Sequence, residues 1–128
     1  MARKIIPAGG TLPFSKATIH DSKYVMEISG QVGLNPETGK LEEGIEQQTI
    51  RTLENIKQIL SEKGWNFNNL IKVRIFLIDM ADYSNVNKIY SKYFSGEYPA
   101  RVALAVKALP LGALIEIDCT AAGDVIKE

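Results

Sequence analysis

Short stretches of alternating polar and apolar residues lie on either side of longer stretches in which apolar residues recur every three or four positions. Alternation is typical of β-strands, and the longer spacing is typical of amphipathic helices. The pattern predicts the following elements in chain order: strands at residues 4–6, 17–22 and 24–32, a helix over 45–60, a strand at 70–78, a helix that begins after Asp79 or Asp82, and strands at 101–106 and 114–119.

This order of elements predicts an α+β fold with both helices packed on one face of a mixed β-sheet. The opposite sheet face carries small alanines and too few large polar side chains for full exposure to water. We therefore expect that face to pack against other subunits. The sequence contains no linker, low-complexity tract or repeat, and 128 residues are enough for one core. We interpret residues 1–128 as a single domain.

The strand at 101–106 is expected to divide its side chains between two faces. The larger apolar residues are expected to form the core face: Val102, Leu104 and Val106. The other face then carries Arg101, Ala103 and Ala105, and the small alanines leave space beside the guanidinium group.

The last predicted strand divides its side chains in the same way. Its core face is expected to carry Ile115, Ile117 and Cys119, which leaves Glu116 on the opposite face. We expect the last two strands to be neighbours, so that Arg101 and Glu116 project together from their non-core faces. A cation and a candidate acid–base group with space between them are typical of a pocket for a small carboxylate.

Individual residues predict further details of these strands and helices. Gly30 and Gly33 interrupt the third strand, which predicts a bulge or the close approach of another backbone, and Gly64 is expected to cap the first helix at its C-terminus. The second helix carries an aromatic and apolar stripe that predicts a core face rather than a ligand box: Tyr83, Val86, Tyr90, Tyr93 and Phe94. Asn87 lies at the edge of this stripe, where it could reach a pocket.

Composition and charge exclude several classes of function. Fifteen acidic and fifteen basic residues give a formal net charge of zero, which argues against a broad nucleic-acid surface. No apolar run approaches the length of a membrane span, and no signal peptide is visible, so we expect a cytoplasmic protein. The single cysteine is expected to be a small buried apolar residue, and the spacing of Cys and His predicts no metal site.

Five segments of the chain, in the same order, resemble motifs of one known family. They are residues 9–17 (GGTLPFSKA), 28–39 (ISGQVGLNPETG), 52–56 (TLENI), 72–80 (KVRIFLIDM), and the C-terminal signature formed by 98–101 (YPAR) with 109–117. On these residues the chain resembles the Rid family, also called YjgF or the reactive-intermediate imine deaminases. The resemblance extends over nearly the whole chain.

The resemblance implies a chorismate-mutase-like fold and a homotrimer whose sheets form a central barrel with clefts between subunits. It also implies hydrolysis of 2-imino acids, such as 2-iminobutanoate and 2-iminopropanoate, to 2-oxo acids and ammonia without a metal or cofactor. Arg101 matches the family's carboxylate-binding arginine, and Glu116 matches the glutamate that acts on the attacking water. The resemblance implies that the pocket is lined by further residues: Phe14, Ser29, Gly30, Asn87 and Ala103.

Two positions depart from the family pattern. Phe14 stands where the family usually has tyrosine, so a phenolic hydroxyl is missing, and Ala103 stands where many deaminases have cysteine. The loss at Phe14 keeps a second hypothesis open, in which the chain forms a non-enzymatic trimer that binds a small metabolite without fast turnover or regulates a partner protein. A third hypothesis, the ribonuclease or translation-inhibitor role of some members, has little support, because the chain lacks a basic excess and a histidine pair.

Overall fold

The computed structural model describes residues 3–128, and Met1 and Ala2 lie outside the described part. The described residues form six strands and two α-helices, with bounds as follows: β1 Lys4–Pro7, β2 Ser15–Ile19, β3 Tyr24–Val32, α1 Gly44–Ser61, β4 Leu70–Leu77, α2 Tyr83–Ser91, β5 Ala100–Ala105 and β6 Ile115–Gly123. Single 3₁₀ turns lie at Phe67–Asn69, Met80–Asp82 and Pro110–Gly112. The elements therefore follow the predicted order, with β2 two residues earlier than expected at its start.

All six strands form one mixed sheet in the order β1-β2-β5-β4-β6-β3. Strand β5 runs parallel to both β2 and β4, whereas β6 is antiparallel to β3 and β4. The predicted α+β fold with a mixed sheet is confirmed. The expected trimeric barrel concerns several copies of the chain and stays a prediction.

The hydrophobic core lies between the two helices and one face of the sheet, which we call the helix face. Its sheet residues come from alternate positions of β4 and β6: Val73, Ile75, Leu77, Ile115, Ile117 and Cys119. The helices cover them with side chains spaced at three or four residues: Leu53, Ile56 and Leu60 from α1, and Val86 and Tyr90 from α2. Tyr93 and Phe94 follow the end of α2 but still pack against this core.

Local sequence features mark the start of α2 and the end of α1. Asp79 accepts a hydrogen bond from the Ala81 amide at 2.9 Å, so it caps the 3₁₀ turn that leads into α2, whereas Asp82 makes no such bond to the first turn of α2. Gly64 adopts a φ of +77°, and its amide bonds to the Ser61 carbonyl after the end of α1. Of the two aspartates considered as caps for the second helix, Asp79 caps the 3₁₀ turn before it, and neither side chain caps α2 itself.

The predicted core face of β5 is wrong. Val102 and Leu104 are 39% and 40% exposed, and it is Arg101 that pairs with the buried Val73 of β4. Helix α2 brings large aromatic rings to the helix face, and β5 meets them there with Ala103 and a flat guanidinium group. The larger valine and leucine side chains therefore point to the opposite face of the sheet, which we call the outer face.

The expected adjacency of the last two strands is also wrong, because β4 lies between β5 and β6. Glu116 pairs with Phe76 of β4 and shares the outer face with Arg74, whose Nη1 lies 2.8 Å from Asp118 Oδ1. Arg101 shares the helix face with Val73. Arg101 and Glu116 therefore project from opposite faces of the sheet within one chain, not from a common face as the sequence predicted.

Candidate functional site

Arg101 lies near the start of β5 in a cage of aromatic rings. Its guanidinium carbon is 5.0 Å from the ring centroid of Tyr90, 5.5 Å from that of Phe14 and 5.6 Å from that of Tyr83. Helix α2 provides two of these rings, and the segment before β2 provides the third. Ring faces attract a cation and restrict the plane of a guanidinium group, so this cage holds the arginine in a defined place.

The polar atoms around Arg101 are only partly satisfied. Arg101 donates a hydrogen bond from Nη2 to the Tyr83 hydroxyl oxygen at 3.0 Å. Its Nη1 is buried and has no hydrogen-bond partner among residues 3–128, and the same holds for Oδ1 of Asn87 on the facing helix. Buried polar atoms without partners are costly and are usually satisfied by a ligand, water or ion. A guanidinium whose Nη1 lacks an acceptor is suited to binding a carboxylate.

Glu116 belongs to a second group of residues on the outer face. It pairs with Val32 of β3, and its carboxylate lies directly over Gly30, where an added Cβ would be 2.2 Å from Oε2. The β3–β6 register shifts between Ile28 and Gln31, so the exposed pair Ser29 and Gly30 forms a bulge opposite one residue of β6. The glycine leaves the space that the carboxylate occupies, as a close approach requires.

The residues predicted for the site thus fall into two groups. Arg101 and Phe14 are in contact on the helix face, with Asn87 and Ala103 on elements that share this face. Glu116, Gly30 and Ser29 form the other group on β6 and β3. One chain does not bring the two groups together, although each group is assembled locally.

Sequence reasoning missed the direct part that Tyr83 and Tyr90 take in this cage. Both residues lie in the stripe that was interpreted as core, and Tyr90 is indeed buried. Tyr83 and Asn87 are four residues apart and so project from the same side of α2. That spacing beside an arginine motif is the signal that could have identified the hydroxyl as a partner of Arg101.

Burial controls the ionisation of the groups near the core. Desolvation raises the pKa of the Tyr90 hydroxyl well above its usual value, so this phenol is neutral at physiological pH. Burial also raises the pKa of the Cys119 thiol to about 12, which removes the thiolate that a nucleophile needs. Cys119 is buried and free, and the prediction that it is a small buried apolar residue is confirmed.

Residues 3–128 lack the features of two other classes of protein. Within that range, His, Cys, Asp and Glu side chains form no group of three or more that could hold a metal ion. No helix in the described part of the chain is both long and apolar enough to cross a membrane.

The fold and the cage define the class of protein: an α+β domain that presents a half-buried arginine beside a mixed sheet, with a buried Nη1 that has no hydrogen-bond partner among residues 3–128. The sequence model of the family described as Endoribonuclease L-PSP matches residues 7–123. The chain belongs to this family, the Rid or YjgF family, as its motifs predicted.

Individual relatives extend over most of the chain. A RutC family protein of Aquifex aeolicus is 42% identical over 118 residues, which cover 91% of this chain and 90% of the relative. The 2-iminobutanoate/2-iminopropanoate deaminase of Mus musculus is 43% identical over 110 residues, which cover 85% of this chain and 80% of that protein. The crystal structure of RidA from the Antarctic bacterium Psychrobacter sp. PAMC 21119 matches with a TM-score of 0.75 at 36% identity, covering 91% of this chain and 93% of that one.

Proposed function

We propose that this protein hydrolyses 2-imino acids, with 2-iminobutanoate and 2-iminopropanoate as substrates, to 2-oxo acids and ammonia. The observation that carries the proposal is the unpartnered Nη1 of Arg101 in its aromatic cage. A small carboxylate provides the acceptor that this nitrogen lacks. The name of the mouse relative gives the class of carboxylate, an imino acid, that the proposal assigns.

In the proposed reaction, Arg101 binds the substrate carboxylate and Glu116 positions a water molecule and accepts its proton. The water oxygen bonds to the imine carbon while the π electrons of the C=N bond move to nitrogen, which takes up a proton. In this adduct Glu116 takes the hydroxyl proton and passes it to the nitrogen, the carbon–nitrogen bond breaks as the oxygen forms the carbonyl of the 2-oxo acid, and ammonia leaves. Because the imine is already electrophilic, positioning and proton transfer account for the acceleration, and the steps use side chains and water alone.

The proposal requires a second copy of the chain. Arg101 and Glu116 lie on opposite faces of the sheet, so the pair that acts on one substrate comes from two protomers. The outer face offers an apolar surface for this contact, with Val25, Val102 and Leu104 at 55%, 39% and 40% exposure. We therefore propose a homotrimer with clefts between subunits, in which Ser29, Gly30 and Ala103 line the cleft.

The test is a coupled assay in which threonine dehydratase generates 2-iminobutanoate and semicarbazide competes for it. The wild-type protein is expected to reduce the yield of semicarbazone, and Arg101→Ala is expected to abolish the effect. Arg51→Ala is the matched control, because Arg51 pairs with Glu42 at 3.1 Å on α1, apart from the aromatic cage. Equal semicarbazone yields with and without wild-type protein would refute the enzymatic proposal for this substrate.

One observation favours a second candidate, a trimer that binds a metabolite without turning it over. Phe14 provides a ring but no hydroxyl beside Arg101, so the cage could retain a 2-oxo acid while lacking a group for fast chemistry. Calorimetric binding of 2-oxobutanoate by a protein that leaves the semicarbazone yield unchanged would support this candidate.

The description of the matching family, Endoribonuclease L-PSP, raises a third candidate, RNA cleavage. His20 is the single histidine of the chain, which argues against histidine-pair phosphodiester chemistry. Cleavage of a single-stranded RNA that survives repurification and disappears in Arg101→Ala would support this candidate instead.

A further inference from the structure

Of the three aromatic residues around Arg101, Tyr83 is the one whose side chain also forms a hydrogen bond with the guanidinium group. The Tyr83 hydroxyl oxygen accepts the hydrogen bond from Nη2 at 3.0 Å. Phe14 has no hydroxyl, and the buried hydroxyl of Tyr90 has no hydrogen-bond partner in the described part of the chain. The ring contacts restrict the orientation of the guanidinium plane. The hydrogen bond to Tyr83 restricts the remaining motion, which is rotation of the group within that plane.

That rotation decides which nitrogen faces a ligand. With Nη2 held by Tyr83, Nη1 is the terminal nitrogen that is left without a partner. An arginine side chain has many rotamers, and fixing it before a ligand binds avoids an entropic cost at the moment of binding. By holding Nη2, the Tyr83 hydroxyl therefore fixes the position of Nη1 before a ligand binds.

Tyr83 is itself held in place by the structure before it. It is the first residue of α2 and follows the 3₁₀ turn that Asp79 caps. Its ring is half-buried and packs against the hydrophobic core. The hydroxyl is thus attached to an ordered helix start rather than to a loop, which gives it the rigidity that a positioning group needs.

We propose that Tyr83 is a positioning residue: its hydroxyl orients the Arg101 guanidinium so that Nη1 meets the substrate carboxylate. The inference rests on the proposed function, since it assigns the residue that prepares Arg101 for the same ligand. Tyr83 makes no bond to the reacting carbon in this account and acts through Arg101 alone.

The experiment compares Tyr83→Phe with the wild type in imine hydrolysis and in calorimetric binding of 2-oxobutanoate. Loss of a hydrogen bond to a charged group is expected to raise KM and Kd about tenfold, with kcat changed less than about twofold because Glu116 is untouched. The melting temperature is expected to stay within about 2 °C of the wild type, since the ring remains. Tyr24→Phe is the matched control, because Tyr24 lies on β3 against Lys23 and away from Arg101.

The outcomes separate the two proposals. A wild-type enzyme that hydrolyses the imine, together with a Tyr83→Phe variant of unchanged KM and Kd, overturns the positioning role alone. Tighter binding by the variant also overturns it, because the hydroxyl would then compete with the ligand for Arg101. A wild-type protein that neither hydrolyses the imine nor binds 2-oxobutanoate overturns the proposed function, and the positioning role with it.

Discussion

Gly30→Ala is the substitution that tests most directly whether the place of the Glu116 carboxylate matters for catalysis. A Cβ at residue 30 would lie 2.2 Å from Oε2 and 2.8 Å from Cδ of Glu116. Ordinary contacts begin at 3.4 Å, so the carboxylate would have to move by more than about 1 Å. A displacement of about 1 Å in a reacting group can lower the rate about 100-fold, and we expect kcat for imine hydrolysis to fall about 10- to 100-fold.

The stability of the Gly30→Ala variant is expected to change by less than about 1 kcal/mol. The clash is with the far end of a side chain rather than with backbone, and the bulge is exposed. Gly33→Ala provides the opposite case, because its Cβ would lie 2.7 Å from the Cα and carbonyl oxygen of Gln48 on α1. Overpacking against that helix backbone is expected to lower the free energy of unfolding by about 1–3 kcal/mol.

The assay pairs single-turnover imine hydrolysis with urea denaturation for both variants. If Glu116 acts where the structure places it, the Gly30→Ala substitution adds little further loss in a Glu116→Gln background, because the two changes affect one group. A Gly30→Ala variant with wild-type kcat and intact Glu116 would refute the reasoning, since the carboxylate would then work equally well from a displaced position.

Three further predictions concern stability and assembly. Arg3 donates to four backbone carbonyls at 2.6–3.1 Å, so Arg3→Ala should cost about 2–3 kcal/mol in urea denaturation, against little change for Lys4→Ala. Because burial raises the pKa of the Cys119 thiol in the folded chain, the thiol loses its proton at a lower pH in the unfolded chain than in the folded one. Stability should thus fall from about pH 9 towards pH 12 by up to about 1.4 kcal/mol per unit, and Cys119→Ala should reduce that slope. Asp118→Asn, which breaks the partly exposed bridge to Arg74, should cost under about 1 kcal/mol in the isolated chain but weaken assembly in light scattering.

One result for each of these three variants would contradict the prediction made for it. Arg3→Ala and Lys4→Ala with equal urea midpoints would show that the carbonyl contacts contribute little. Alkaline denaturation curves of equal slope for wild type and Cys119→Ala would assign the decline to other groups. A dissociation constant unchanged by Asp118→Asn would show that the outer face around this ion pair is not part of the contact between copies.

Most of the fold could be predicted from the sequence because the local signals agree with one another. The apolar spacing of α1 continues to Leu60, and Gly64, with a φ of +77°, lies in the turn that follows the end of the helix. Gly30 and Gly33 were predicted to mark a bulge or a close approach, and the structure has a bulge at the first and an α1 backbone contact at the second. Such features depend on a few neighbouring residues, which is why a single sequence reveals them.

The orientation of β5 could not be predicted, because alternation sorts side chains into two sets without saying which set meets the helices. Choosing the larger residues as core failed, since α2 brings the rings of Tyr83 and Tyr90 to that face and leaves room for Ala103 rather than for Leu104. The position of β4 between β5 and β6 was missed for a related reason. Order along the chain does not fix order in the sheet when parallel pairing is possible.

The order of the strands and the orientation of β5 together decide whether Arg101 and Glu116 can meet within one chain. Had β5 and β6 been neighbours with a common non-core face, Arg101 and Glu116 could have formed a pocket inside one chain. With β4 between them and the faces reversed, the sheet separates Arg101, which we propose binds the carboxylate, from Glu116, which we propose positions the water. Each group nevertheless has its own local support, the aromatic cage for Arg101 and the glycine bulge for Glu116. The proposed catalytic pair can meet only between two copies of the chain, so the proposal predicts that loss of assembly and loss of imine hydrolysis occur at the same protein concentration.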